Sequence, residues 1–284
     1  MLPFFIPGEG GQRFCLYHPA NGLTRGAIIY LHPFAEEMNK SRRMAAIQAR
    51  AMAAAGFSVL QIDLLGCGDS SGDFSDASWQ AWQDDVLLAY RWLRTQTDAA
   101  LTLWGLRAGC LLAGTVAVNL PEPTNFILWQ PVVSGNLHWQ QFMRLKMAGE
   151  LASGQAKGVT AQLKQRLASG QSVEIVGYEV VPELAGGIEA SELLPPSLSN
   201  SPITAQPDIL QISEAKKPAV AWFELSTREN ATLAPASQKR IEQWQSCGYR
   251  VQAETIQGPA FWQTTEIEDA PELIVATMAA LEAF

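Results

Sequence analysis

The chain has 284 residues, of which 48% are hydrophobic and 17% charged, with a net charge of −8 and a pI near 5.0. That balance suits one large packed α/β domain with an insertion, or two small domains, and argues against wholesale disorder. The negative charge disfavours a nucleic-acid partner, because phosphate binding calls for a basic face. No apolar run reaches the roughly 18 residues of a membrane helix, and Met1 to Glu9 lacks the basic start and long apolar core of a signal peptide. Neither a membrane span nor a signal peptide is therefore expected. Four scattered cysteines (Cys15, Cys67, Cys110, Cys247) without Cys-x-x-Cys spacing argue against a zinc site or a disulfide framework. A reducing cytoplasm is the expected compartment.

Residues 11–17 and 26–31 read as strands, the second a short apolar run of the buried type. Ser41 to Ala55 reads as a helix that Gly56 terminates. Strand 57–63 follows, and then a turn-rich loop, Gly66 to Gly72. From Ser78 onward, Trp79, Trp82, Val86, Tyr90 and Leu93 recur at helical spacing and mark one apolar face. Strand 100–104, helix 107–119 and strand 125–129 come next. This alternation predicts a mainly parallel sheet with helices on both faces. It breaks between about 137 and 205, where two helices, a strand-like Val173 to Val176 and a Pro- and Ser-rich tail (Pro195, Pro196, Ser197, Ser199, Ser201, Pro202) suggest an inserted cap. It then resumes with strand 219–224, helix 235–246, strand 250–256 and helix 270–283. The expected organisation is a core of residues 1–136 and 206–284 with a helical cap at 137–205.

The most informative stretch is Leu101 to Cys110. An apolar strand runs into Gly105-Leu106-Arg107-Ala108-Gly109 and then into a helix, which is the frame of a Gly-x-Ser-x-Gly nucleophile elbow. Here arginine stands where serine would. A guanidinium stays protonated and is no ordinary acyl-transfer nucleophile. In that frame the histidine should follow the last strand and the acid the strand before it. Glu229 lies near the acid's place, but the loop 258–266 holds Phe261 and Trp262 and no histidine. Only three histidines exist (His18, His32, His138), so Ser-His-Asp chemistry is not expected. Cys67, Cys110, Ser70 and Ser71 are the alternative nucleophiles to weigh against core or turn roles. The loop Asp63 to Gly72 is either a structural turn or a wall of the site mouth.

His32-Pro33-Phe34-Ala35-Glu36-Glu37 follows the strand at 26–31, where a backbone N–H would supply half of an oxyanion hole. Pro33 has no N–H, so the donor falls to Phe34 or Ala35. His32 either holds its own loop or points with Glu37 toward Arg107. A cation at a helix N-terminus opposes the macrodipole and, when buried, demands a carboxylate. The candidates are Glu37, Glu36 and Glu229, in that order. Arg107 with the Ala108 N–H could instead receive an anionic group of a ligand. Trp129, Trp139 and Trp262 either line such a pocket or pack in the core.

His32 to Arg42, Trp104 to Gly109 and Leu128 to Gly135, with Gly177-Tyr178-Glu179 and Gly258 to Gln263, resemble the exosortase A system-associated hydrolases of the second type. The resemblance implies an α/β-hydrolase fold, an arginine elbow shared by the subfamily, and a bacterial setting of PEP-type protein sorting and exopolysaccharide export. It implies no substrate. Two functional classes follow. One is a pseudo-hydrolase that binds, without turning it over, a partner protein or a small anionic ligand, the latter through Phe34, Ala35, Glu37, Arg107, Ala108 and Trp262. The other is an unconventional hydrolase or acyltransferase acting on an ester, thioester or glycosyl-linked molecule, with His32 as base, Arg107 as electrostatic clamp and Glu229 as acid. The enzyme class requires an accessible His32 beside Arg107. Neither a metal nor a cofactor is expected, and the oligomeric state is left open.

Overall fold

The computed structural model describes residues 1–151, 158–198 and 217–284. Eight strands form one sheet: β1 (Leu2–Gly8), β2 (Gly11–His18), β3 (Gly26–Leu31), β4 (Phe57–Ile62), β5 (Leu101–Leu106), β6 (Asn125–Trp129), and two later strands, 219–226 and 250–257. Between β6 and those two lies a separate hairpin, β7 (Val173–Ile175) and β8 (Tyr178–Val180), so the last pair are β9 (Ala219–Ser226) and β10 (Arg250–Gln257). The spatial order is β1-β2-β4-β3-β5-β6-β9-β10, with β2 antiparallel to both its neighbours and the remaining pairs parallel.

The central strands are apolar along their whole length because both faces are covered. In β6, Phe126 and Leu128 enter one core while Ile127 and Trp129 enter the other; in β9, Val220 and Trp222 alternate in the same way with Ala221 and Phe223. This follows from the two-residue repeat of a strand. Helices α1 (Glu36–Ala54) and α8 (Pro271–Glu282) cover one face through Met44, Ala49, Met52, Leu273 and Leu281. Helices α2 (Trp79–Arg94), α3 (Ala108–Ala117) and α7 (Pro235–Ser246) cover the other through Val86, Leu93, Leu111, Val116 and Trp244.

Between β6 and β9 the chain forms α4 (Gly135–Leu151), α5 (Val159–Ala168), the β7–β8 hairpin and α6 (Pro182–Ala190). Sequence reading anticipates two helices here; the third, α6, is a short helix started by Pro182 at its first turn, which suits proline's fixed φ and missing N–H. Its Leu184 and Ile188 join the core that contains Trp79 and Trp82. A Cβ on Gly187 would lie 2.1 Å from Cβ of Trp79, so α6 sits directly on α2. Ser199, Ser201 and Pro202 of the Pro- and Ser-rich tail, and the boundary at 205, lie outside the described residues.

Two further differences concern the start of the chain. Strand β1 escapes the sequence patterns because Pro3 and Pro7 interrupt it; as an edge strand, bonded among the described residues only to β2, it has no second neighbour there to which those missing N–H groups would donate. Helix α1 begins at Glu36, five residues before Ser41, because Ala35 turns the chain sharply with φ 52° and ψ −128°.

Candidate functional site

Arg107 sits between β5 and α3 with φ 55° and ψ −119°. A side chain at this backbone position is strained by about 1–3 kcal/mol and persists only when its surroundings enforce it. They do so here. The Arg107 N–H donates to the Trp129 carbonyl at 3.0 Å, and its carbonyl accepts the N–H groups of Cys110 at 3.0 Å and Val132 at 3.4 Å. The flanking glycines are steric requirements: a Cβ on Gly105 would lie 2.7 Å from the Cys110 Cα, and one on Gly109 2.2 Å from the Leu31 carbonyl oxygen. The β5–α3 turn is therefore pressed against the end of β3, where Ala35 makes a second turn of nearly the same dihedral angles.

That juxtaposition brings the first turn of α1 to Arg107. The guanidinium Nε donates to Glu37 Oε1 at 3.2 Å and Oε2 at 3.4 Å, and Nη2 lies 3.2 Å from Oε1. Of the three candidate carboxylates, the structure pairs Glu37 with Arg107. Glu36 instead accepts from the Tyr178 hydroxyl at 3.1 Å and Asn39 Nδ2 at 3.3 Å. Glu229 is exposed in the loop after β9 and makes no contact with Arg107. The Trp262 ring lies 5.7 Å from the guanidinium carbon, and Gln263 Nε2 donates to Glu37 Oε1 at 3.4 Å. Burial pushes the Glu37 carboxyl above its ordinary range, against the opposing pull of Arg107.

Next to this pair lies a cavity of about 110 Å³. Its polar wall is Glu36, Glu37, Arg107, Gln141 and Gln263, and its apolar wall is Phe34, Phe142 and Leu145; His138 completes it. Ala35, Ala108 and Trp262 do not line it. Trp129 and Trp139 are core residues: Trp129 Nε1 donates to Thr277 Oγ1 at 3.0 Å, and Trp139 is 1% exposed against Phe142.

His32 lies elsewhere. It lines a different cavity, of about 180 Å³, with Tyr30, Arg42 and Asp63. Its ring is buried, with Nδ1 2.8 Å from the Pro33 carbonyl and Nε2 accepting the Leu64 N–H at 3.4 Å. Those partners fix a neutral imidazole with the proton on Nδ1, and burial lowers its pKa. Both nitrogens are therefore engaged in holding the loop together. Sequence reading assigns no role to His138, the histidine that does line the Arg107 cavity. Its signal is the spacing His138, Gln141, Phe142, Leu145, which places one face of α4 toward the site.

The alternative nucleophiles are either buried or hydrogen-bonded. Cys67 is buried rather than exposed, and burial raises its thiol pKa as it does that of Cys110. Ser70 Oγ donates to the Asp63 carbonyl at 2.5 Å and accepts the Phe14 N–H at 2.9 Å; Ser71 Oγ accepts the Gln12 N–H at 2.9 Å. The Asp63 to Gly72 loop is thus tied to β2, and Asp63 itself holds Arg42 at 2.9 Å. Among the described residues no group of three or more His, Cys, Asp or Glu side chains is placed to hold a metal ion, and no helix is long and apolar enough to cross a membrane.

The buried imidazoles give a pH prediction. Burial and the nearby Arg107 push His138 down to about 3 from 6.5, and burial also lowers His18 and His32. Between those two values the unfolded chain binds a proton at His138 that the fold refuses, so stability falls as pH drops from 6.5 toward 3, by up to about 1.4 kcal/mol per pH unit from His138; His18 and His32 act in the same direction below 6.5. Glu37 and Asp85, both raised by burial, act in the opposite sense at acidic pH. Urea unfolding at pH 7 and pH 5 isolates the His138 share: His138→Leu should flatten the slope, and an unchanged slope would contradict the assignment.

The strand order, the β5–α3 elbow and the helices on both faces define an α/β hydrolase. The chain belongs to the serine aminopeptidase S33 family, whose model matches residues 22–193. It is 29% identical over 113 residues to human Protein ABHD12B, a match covering 39% of this chain and 30% of that protein. The matched part is thus less than a third of that relative's length. Among solved structures it resembles XC6422 of Xanthomonas campestris, described as an α/β serine hydrolase without lid, with a TM-score of 0.55 and 14% identity over 99% of this chain and 92% of that one. It also resembles ferulic acid-bound Est1E of Butyrivibrio proteoclasticus, with a TM-score of 0.61 and 14% identity over 99% and 100% of the two chains. Similarity at this identity shows the fold.

Proposed function

We propose that this chain is a ligand-binding member of its family that does not carry out Ser-His-Asp acyl transfer, and that the cavity beside Arg107 takes a small molecule bearing an anionic group. The observation that carries the reading is the Arg107 guanidinium in the elbow position, half-occupied by Glu37. Nε and Nη2 face Glu37, while Nη1 makes no hydrogen bond among the described residues. A fixed cation with an unused N–H pair, next to a mainly apolar cavity, is an anion receptor rather than a nucleophile. The engaged nitrogens of His32, and an exposed Glu229 that makes no hydrogen bond or ion pair with Arg107, weigh against the enzyme class that would use them. In this reading 137–205 acts as a cap over the site, and the protein works in the cytoplasm. The stretches similar to exosortase A system-associated hydrolases of the second type support a role in bacteria that sort PEP-type proteins and export exopolysaccharide.

The test is turnover of aryl esters and thioesters of graded chain length by the wild type, His32→Ala and Arg107→Ala. All three should stay at the uncatalysed background. Hydrolysis by the wild type that both substitutions abolish would overturn the proposal in favour of an unconventional enzyme.

A further inference from the structure

His138 is 6% exposed, yet neither ring nitrogen has a hydrogen-bond partner among the described residues. It stands in the first turn of α4, with its ring 6.1 Å from that of Phe34 and the Arg107 charge close enough to repel a proton from it. Buried polar side chains are overwhelmingly hydrogen-bonded, and an exception needs a reason. Here His138 and Arg107 line the same cavity, and among the described residues neither the imidazole nor Arg107 Nη1 makes a hydrogen bond.

We propose that His138 is the second ligand-contacting group of this cavity, and that the ligand is a small monocarboxylate held between the Arg107 guanidinium and the His138 imidazole. The inference rests on the reading of the Arg107 cavity as an anion receptor, and it narrows the anion. One carboxylate oxygen accepts from Arg107 Nη1 and the other from the protonated nitrogen of a neutral His138. A dianion such as phosphate is disfavoured, because among the described residues Arg107 is the only cationic side chain in the lining and Glu36 and Glu37 are also there. The walls supplied by Phe34, Phe142 and Leu145 receive a short aliphatic or aromatic tail. At about 110 Å³ the space is well below that of drug-sized sites, which run from roughly 300 Å³ upward, so the tail is small.

The experiment titrates butyrate, benzoate and inorganic phosphate into the full chain labelled with ¹⁵N-histidine, with calorimetry in parallel. Three histidines give three imidazole environments, and the His138 signal is assigned by its loss in His138→Leu. Butyrate or benzoate should shift the His138 resonance and leave those of His18 and His32 in place. His138→Leu should weaken carboxylate binding by about tenfold or more, and His138→Gln, which keeps an N–H donor, should recover part of it. Since a structural histidine would be missed by the fold, the thermal midpoint of His138→Leu is a second readout, and it should equal or exceed that of the wild type. Three outcomes overturn the proposal: carboxylates that bind through Arg107 without moving His138, phosphate that binds where carboxylates do not, or a His138→Leu midpoint well below wild type. The first two leave the anion-receptor reading standing. If no anion binds and Arg107→Ala changes no titration, that reading fails as well.

Discussion

Glu37→Ala is expected to destabilise the protein by about 3–5 kcal/mol, because it leaves a buried cation without a counter-ion. The side chains of Arg107 and Glu37 are 13% and 17% exposed, so solvent screening offers little relief. Arg107→Ala should cost less, about 1–3 kcal/mol. The asymmetry follows from protonation: the stranded Glu37 carboxyl, already pushed up by burial, can take a proton and become neutral, whereas a guanidinium cannot shed its charge. The double variant should therefore be more stable than Glu37→Ala alone. Urea unfolding of the four proteins measures all three differences and their coupling. Single-variant costs below about 1 kcal/mol would mean that the pair behaves as a surface ion pair, and the argument for a dry, charged elbow would fall.

The second large effect is Gly109→Ala. The new Cβ would sit 2.2 Å from the Leu31 carbonyl oxygen and 2.8 Å from that of His32. Both are backbone atoms at the end of a fully buried strand, so neither can rotate away. A loss of about 3 kcal/mol or more is expected, at the upper end of overpacking costs, with separation of the β3 and β5 turns and loss of the Arg107–Glu37 contact. Gly114→Ala, on the same helix, is the control. Its Cβ would approach the Leu193 Cδ1 methyl at 3.2 Å, a side-chain atom that can give way, and alanine's helix propensity offsets the crowding. A change within about 1 kcal/mol is expected there. Thermal unfolding of the two variants tests the contrast; equal midpoints would show that the elbow is not sterically locked.

The fold was legible because a parallel sheet covered on both faces needs near-continuous apolar strands, and residues 26–31, 57–62, 101–106 and 125–129 supply them. Strand β1 was not, since an edge strand is free to carry Pro3 and Pro7 and its face is half exposed. Helix α1 starts early because its first residue is set by the strained Ala35 turn, which leaves no mark in helix periodicity. In the site, the elbow could be read from two glycines spaced around Arg107, as each forbids a side chain for a steric reason local to the turn. The need for a carboxylate beside Arg107 was also legible, from electrostatics alone.

What the sequence by itself determined is therefore local: the strand-turn-helix of the elbow, the arginine within it, the lack of a histidine in the loop after β10, and the alternation that makes an α/β hydrolase. The tertiary structure decided everything that joins distant segments. It chose Glu37 over Glu36 and Glu229 for an ion pair spanning 70 residues, because the β3 and β5 turns touch and the loop after β9 does not reach them. It turned His32 away into its own loop, with both nitrogens engaged, and brought His138 on α4 to the cavity instead. Charge and hydrogen-bonding capacity are written in residue types, but which groups satisfy each other depends on how the sheet stacks its turns, and no spacing along the chain encodes that.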